Sequence, residues 1–156
     1  MLKWLWVSVV VIVLDQLTKL WASSALDYGV PVAVVPYINL TLLHNTGAAF
    51  SFLSEAGGWQ RWFFALMALV VSTAILIWLK RLPSTKVWLA VALALVLGGA
   101  LGNVWDRIYF GYVVDFIDLY YQGWHWPAFN IADMAISVGA VMLIIDSLRG
   151  ESSEKS

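Results

Sequence analysis

The stretch VWLAVALALVLGGALGNVW, residues 87–105, runs for 19 positions without a charge. As a helix rising about 1.5 Å per residue it is roughly 28 Å long, close to the hydrocarbon thickness of a bilayer. Residues 62–79 supply a second uncharged run of 18. Two such runs in a chain of 156 residues identify a membrane protein.

Composition leads to the same environment. Hydrophobic residues make up 62% of the chain and charged residues 12%. Counting Gly and leaving out Tyr, the apolar share is about 65%, against about 45–50% in soluble domains. A soluble fold of this length has too little interior to hide that much apolar side chain, and a disordered chain is far more polar. The length fits one domain. A net charge of −1 leaves no broad basic surface for nucleic acid. The lack of Cys removes disulfides, thiol nucleophiles and thiolate metal sites together.

Outward from the first two runs, residues 129–148 form a third candidate span, with Asp133 one turn inside it. Residues 4–22 form a fourth. Lys3, the apolar run 4–14 and small residues near Ser23 also resemble a cleavable signal peptide. Leu17, Leu20 and Trp21 carry the apolar face past Asp15 and Lys19, so a retained helix is expected. The expected fold class is mainly α: a four-transmembrane-helix bundle with a small extracytoplasmic β-rich segment between helices 1 and 2. Residues 1–150 make one membrane domain and 151–156 a polar cytoplasmic tail.

With the N-terminus inside, Lys3, Lys80, Arg81, Lys86, Arg149 and Lys155 face the cytoplasm, and only Arg61 and Arg107 lie in or beside outer loops. Trp4, Trp6, Trp21, Trp62, Trp78, Trp88 and Trp105 stand near span ends, where interfacial belts form. Two outer segments remain, 23–61 and 106–128. The first holds β-branched or alternating runs at 30–35 and 37–43, broken by Pro31 and Pro36, which predict short strands; Gly57 and Gly58 close it as a turn. The second, with Trp124 and Trp126, reads as a piece lying in the membrane interface.

Ionisable groups inside spans are costly and therefore point to function. Asp15 and Lys19 are four apart, acid before base, and read as a self-neutralising pair on one helix face. Asn45 and Gly47 sit in a small-residue turn over 44–51. Gly98 and Gly102 have the spacing that brings membrane helices together. Asn103 and Arg107 follow one turn apart, with Asp106 beside them. Asp115 is flanked on both sides by apolar residues, and Asp133 shares its face with Asn130. Two carboxylates brought close cannot both ionise cheaply, so one keeps a proton. Such a pair contains a base for water and an acid for a leaving amine. Spacing alone leaves open two separate helix-terminal aspartates. His44 and His125 lack any zinc-site spacing, and no Gly-x-Ser-x-Gly elbow is present.

Five blocks carry a specific resemblance: Asp15-x-x-Thr18-Lys19, the run from Asn45 to Ser51, Gly98-Gly99-Ala100-Leu101-Gly102-Asn103-x-x-Asp106-Arg107, Gly111-Tyr112-Val113-Val114-Asp115-Phe116 and Phe129-Asn130-x-Ala132-Asp133. In this order they resemble the bacterial lipoprotein signal peptidase family, also called signal peptidase II. The resemblance implies an intramembrane aspartic endopeptidase of the bacterial inner membrane that cuts diacylglyceryl-modified prolipoproteins just before the lipidated Cys. It implies Asp115 and Asp133 as the catalytic dyad. Asn45, Gly47, Asn103, Arg107, Asn130, Asp15 and Lys19 become substrate-binding or supporting residues. It implies no metal or organic cofactor. The expected partners are the prolipoprotein and membrane lipid, with the enzyme monomeric. A small proton-coupled transporter is the competing class, with Asp15, Asp133 and Asp146 as relays, but it predicts repeats and broken helices that the sequence lacks. A purely structural membrane partner leaves Asp115 and Asp133 without a purpose. Asp118 and Asp146 receive no site role.

Overall fold

The computed structural model describes residues 1–47 and 58–154. Gly57 and positions 48–51 of the small-residue segment lie outside these. Four long helices, α1 (Leu5–Ala25), α2 (Trp59–Arg81), α3 (Val87–Tyr109) and α4 (Ile131–Glu154), are joined by four strands, β1 (Val32–Val35), β2 (Ile38–Asn45), β3 (Val113–Tyr121) and β4 (Trp124–His125). All four helices are long and apolar enough to cross a membrane. In hydrocarbon each backbone amide must find its partner within the segment, so uncharged runs of this length become helices. Pro83 stands just past the capping residue Leu82 and prevents continuation of α2. The last helix extends to Glu154, through Gly150 and four residues into the stretch expected as a tail.

α3 is the centre of the bundle. In its apolar window 61% is buried inside the protein, against 33%, 22% and 11% for α1, α2 and α4, whose remaining apolar faces are left to lipid. Close approach depends on small residues, since lipid removes any hydrophobic drive between helices. A Cβ at Gly98 would stand 2.9 Å from the Ser8 backbone on α1, one at Gly99 would strike the Ala132 carbonyl on α4, and one at Gly139 would stand 2.7 Å from the Ala92 carbonyl. Ser8 Oγ also donates to the Ala94 carbonyl at 2.7 Å. The expected contact function of Gly98 and Gly102 is thus met within one chain, with Gly99 the tightest point. Toward the end where α1 begins, the interior is apolar, built from Ile75, Leu79, Ala90, Leu93 and Leu97. Toward the opposite end it is polar, and there the sheet sits.

The sheet is antiparallel in the order β1-β2-β3-β4. Pro36 and Tyr37 turn β1 into β2, with Tyr37 in a left-handed conformation (φ 73°). This corrects the sequence reading in one respect. The segment 106–128 is not only an interfacial piece but supplies β3, the strand against which β2 pairs over its length. β3 is buried at Val113, Val114, Asp115, Phe116 and Asp118. A strand covered on both faces shows no apolar–polar alternation, which is why the period-2 signal was missing.

β2 carries a bulge. Asn39 pairs with Asp118 and Leu40 with Ile117, but then Leu43 pairs with Asp115 and Asn45 with Val113. The extra residue in β2 reverses its facing, so that Asn39 shares a face with Asp118 while Asn45 shares the face of Asp115.

Candidate active site

Each functional side chain is placed by an element end. Asn130 is the residue before α4, and its Oδ1 accepts the amide of Asp133 at 3.0 Å, while Asp133 Oδ2 accepts the Asn130 amide at 3.3 Å. This reciprocal arrangement is a capping box, the local reason α4 begins where it does. The free Nδ2 of Asn130 then points to Asp115 Oδ1 at 2.7 Å, with Asn103 Oδ1 and the Val114 carbonyl each at 3.2 Å. Asn45 Nδ2 donates to the other oxygen of Asp115 at 3.0 Å, and its Oδ1 accepts the Gly47 amide at 2.8 Å. Gly47 has φ 89°, and a Cβ there would lie 2.6 Å from the Phe64 ring of α2. Asn103 on α3 completes the pair, donating through Nδ2 to Asp133 Oδ1 at 2.7 Å.

Behind these three asparagines lies a charged cluster. Lys19 Nζ is 2.8 Å from both Asp15 Oδ2 and Asp106 Oδ2 and donates to Asn103 Oδ1 at 2.9 Å, so its three protons are all directed. Asp15 Oδ1 accepts the Ala132 amide at 2.9 Å, in the first turn of α4, where a carboxylate meets unpaired amides and the positive end of the helix dipole. Asp106 Oδ2 accepts the amide of Val114, the neighbour of Asp115, at 3.2 Å. Gln16 Nε2 bridges to Asp106 Oδ1 at 2.9 Å. The Asp15–Lys19 pair is therefore more than a self-neutralising anchor: it holds the first turn of α4 and the amide of Asn103. The guanidinium of Arg107 stands 5.5 Å over the Phe64 ring and interacts electrostatically with Asp133 and Asp115.

Asp115 is 2% exposed. Burial, and then the charge of Asp133, push its carboxyl up to about 7, against hydrogen bonds from Asn45 and Asn130 that favour the ionised form. Two carboxyls held near one another cannot both ionise cheaply. One can then take a proton from water while the other gives one.

All nine residues singled out from the sequence converge on this end of the bundle: eight in the polar network or beside it, and Gly47 through its hydrogen bond to Asn45. Asp106 and Gln16 were not given site roles. The available signal for Asp106 was its spacing, three residues after Asn103 on the same face of α3.

A family model described as signal peptidase (SPase) II matches residues 7–149. The chain belongs to the signal peptidase II family. This is a family of aspartic peptidases that cleave signal peptides from prolipoproteins. Among similar proteins, the lipoprotein signal peptidase of Acinetobacter baumannii is 61% identical over 146 residues, covering 94% of this chain and 83% of its own. That of Pseudomonas putida is 57% identical over 155 residues, covering 98% and 91%. That of Hydrogenovibrio crunogenus is 59% identical over 140 residues, covering 90% and 81%. Two solved bacterial membrane enzyme structures superpose with TM-scores of 0.85 and 0.83 at 32% and 33% identity, covering 97% and 94% of this chain and 90% and 92% of theirs. As a signal peptidase II the chain is a multi-pass membrane protein, and its polar network lies on the family's scaffold.

Proposed function

We propose that this signal peptidase II cuts prolipoproteins on the N-terminal side of a diacylglyceryl-modified Cys, with Asp115 and Asp133 as its catalytic dyad. The observation that carries this reading is that Asn130 holds both aspartates, the Asp115 carboxyl through its side-chain amide and the Asp133 carboxyl through its backbone amide, with the Asp115 carboxyl raised to about 7. The ionised member draws a proton from water, and the resulting hydroxide attacks the scissile carbonyl carbon. The protonated member stabilises the oxyanion and then gives its proton to the leaving amine. Asn45, Asn103 and Asn130 keep both carboxyls oriented. Arg107 supplies a positive charge beside the pair, and the Asp15–Lys19–Asp106 cluster fixes Asn103 and the start of α4.

Localisation in the bacterial inner membrane with both termini cytoplasmic is supported by the charges. Lys3, Lys80, Arg81, Lys86 and Arg149 all fall at the end of the bundle opposite the sheet, as the positive-inside rule requires for a cytoplasmic face. The sheet and the dyad then stand at the extracytoplasmic side. A monomer in contact with membrane lipid suffices, because the small-residue faces of α3 are satisfied within the chain.

Purified protein in detergent, given a lipid-modified prolipoprotein beside Asp115→Asn, tests this. Cleavage before the Cys, lost by several powers of ten in the variant, is expected because base and nucleophile activation vanish together. Near-normal turnover by Asp115→Asn or Asp133→Asn would overturn the dyad.

A further inference from the structure

The carboxyl of Asp118 has no part in this chemistry, yet it is buried at 5% exposure on the face of β3 opposite Asp115. It gathers three stretches of chain. On its own strand it stands three residues after Asp115. From β2, Thr41 Oγ1 donates to its Oδ2 at 3.1 Å and Asn39 Nδ2 at 3.3 Å. From β4, His125 Nδ1 lies 2.8 Å from its Oδ1. These are the stretches that carry Asn45, Asp115 and, five residues beyond His125, Asn130.

The path from His125 to Asn130 is laid along β3. The Trp126 amide donates to the Leu119 carbonyl at 2.8 Å, the Phe129 amide to Ile117 at 3.1 Å, and the Ile117 amide back to Phe129 at 2.9 Å. A shift of β4 against β3 is therefore passed to Asn130, and through its amide to both aspartates. A cavity of about 420 Å³ touches Thr41, Asp118, His125 and Trp126, but both oxygens of Asp118 are already engaged, so the group serves as a tie rather than a vacant acceptor. Burial raises the Asp118 carboxyl, and the donors His125, Asn39 and Thr41 outweigh it and hold the group below the usual carboxylate range, so the tie stays ionised at neutral pH.

We propose that Asp118, with His125 as its donor, is a positioning residue for the peptidase reaction: it sets the spacing between Asp115 and the Asn130–Asp133 turn without touching substrate. The proposal rests on the dyad reading. Its consequence is that a loss far from the substrate appears in turnover, since misplacement by about 1 Å can cost on the order of 100-fold.

The test compares steady-state cleavage of a lipid-modified prolipoprotein by Asp118→Ala, His125→Phe and His125→Asn. Phe keeps the ring stacked on Tyr120, whose centroid lies 5.8 Å from that of His125, but removes the donor; Asn keeps a donor near Nδ1 and removes the ring. Asp118→Ala and His125→Phe are expected to lower kcat by about 10-fold to 100-fold with KM within about twofold, and His125→Asn to restore kcat to within about threefold of the wild type. The alkaline limb of the kcat/KM profile is expected to move upward in the impaired variants, because Asn45 and Asn130 hold Asp115 down against its burial and Asp133. Arg107 and Lys19, the other charges acting on the dyad, are untouched. A fold weakened without repositioning lowers Tm but leaves that limb in place. Unchanged kcat in both impaired variants, a loss confined to KM, or His125→Asn no better than His125→Phe would overturn the proposal. Should Asp118→Ala not fold, the two His125 variants decide. Should the wild type not cleave, the dyad reading fails by itself. Amide exchange then judges the tie: faster exchange at Phe116, Ile117 and Phe129 in His125→Phe supports it, and unchanged exchange overturns it.

Discussion

Asn130 Nδ2 stands 2.7 Å from Asp115 Oδ1, while Oδ1 of the same side chain caps the amide of Asp133. One planar amide thus determines both the start of α4 and the separation of two carboxyls drawn from different elements. An aspartate on a strand and one on a helix have no local reason to meet, and Asn130 supplies it.

Asn130→Ala therefore removes a cap and a dyad contact at once. Loss of the cap costs about 1–2 kcal/mol. The larger effect falls on turnover, with kcat lower by about 100-fold as the carboxyls lose their common support. Thermal unfolding in detergent beside cleavage kinetics separates the two, and a Tm loss without a kcat loss would contradict the assignment.

The raised carboxyl of Asp115 makes stability depend on pH. Between the ordinary carboxylate range and about 7 the folded chain holds a proton that the unfolded chain releases, so stability falls as pH rises through that window. Above about 7 Asp115 gives up its proton, and under the proposed dyad mechanism kcat/KM should fall on the alkaline side. Asp115→Asn should flatten the stability slope, which denaturation across pH 4 to pH 8 measures.

Lys19→Met leaves Asp15 and Asp106 buried without their common cation. Breaking a buried pair in this way costs about 3–5 kcal/mol, which corresponds to a Tm lower by roughly 10 °C for a chain of this size. Adding Asp106→Asn should recover part of that loss, because one stranded charge disappears. Thermal shift of the wild type and the two variants in one detergent checks the order.

Gly99→Ala drives a methyl into the Ala132 carbonyl and pushes the first turn of α4, with Asp133, away from α3. Overpacking of this kind costs about 1–3 kcal/mol, and kcat should fall about tenfold or more as Asp133 moves. Gly29→Ala is the contrast. Its Cβ meets nothing within 4 Å, and only φ +74° opposes it. That strain costs about 1 kcal/mol and should leave kcat within about twofold.

Much of the candidate site is legible in the sequence because its residues break local rules. Asp115 lies among apolar neighbours, Asp133 stands one turn inside a span, and Asn103 and Arg107 follow an uncharged run. Asp106 escaped a role because its partners, Lys19 and the Val114 amide, come from another helix and a strand. Asp118 receives no role from the sequence because its donors lie on β2 and β4, brought to it only by strand pairing. β3 was missed because a strand buried on both faces carries no alternation to read.

The sequence by itself determined the membrane environment, the four spans and the polar residues set against them, because hydropathy and residue type act over a few turns of chain. The tertiary structure alone decided which groups meet. Asp15 caps α4 from 117 residues away, Asn45 reaches Asp115 only because a bulge in β2 reverses its facing, and Asn130 joins a strand aspartate to a helix aspartate. Those contacts depend on register and helix approach, which are settled by packing across the whole bundle rather than by any local run of residues.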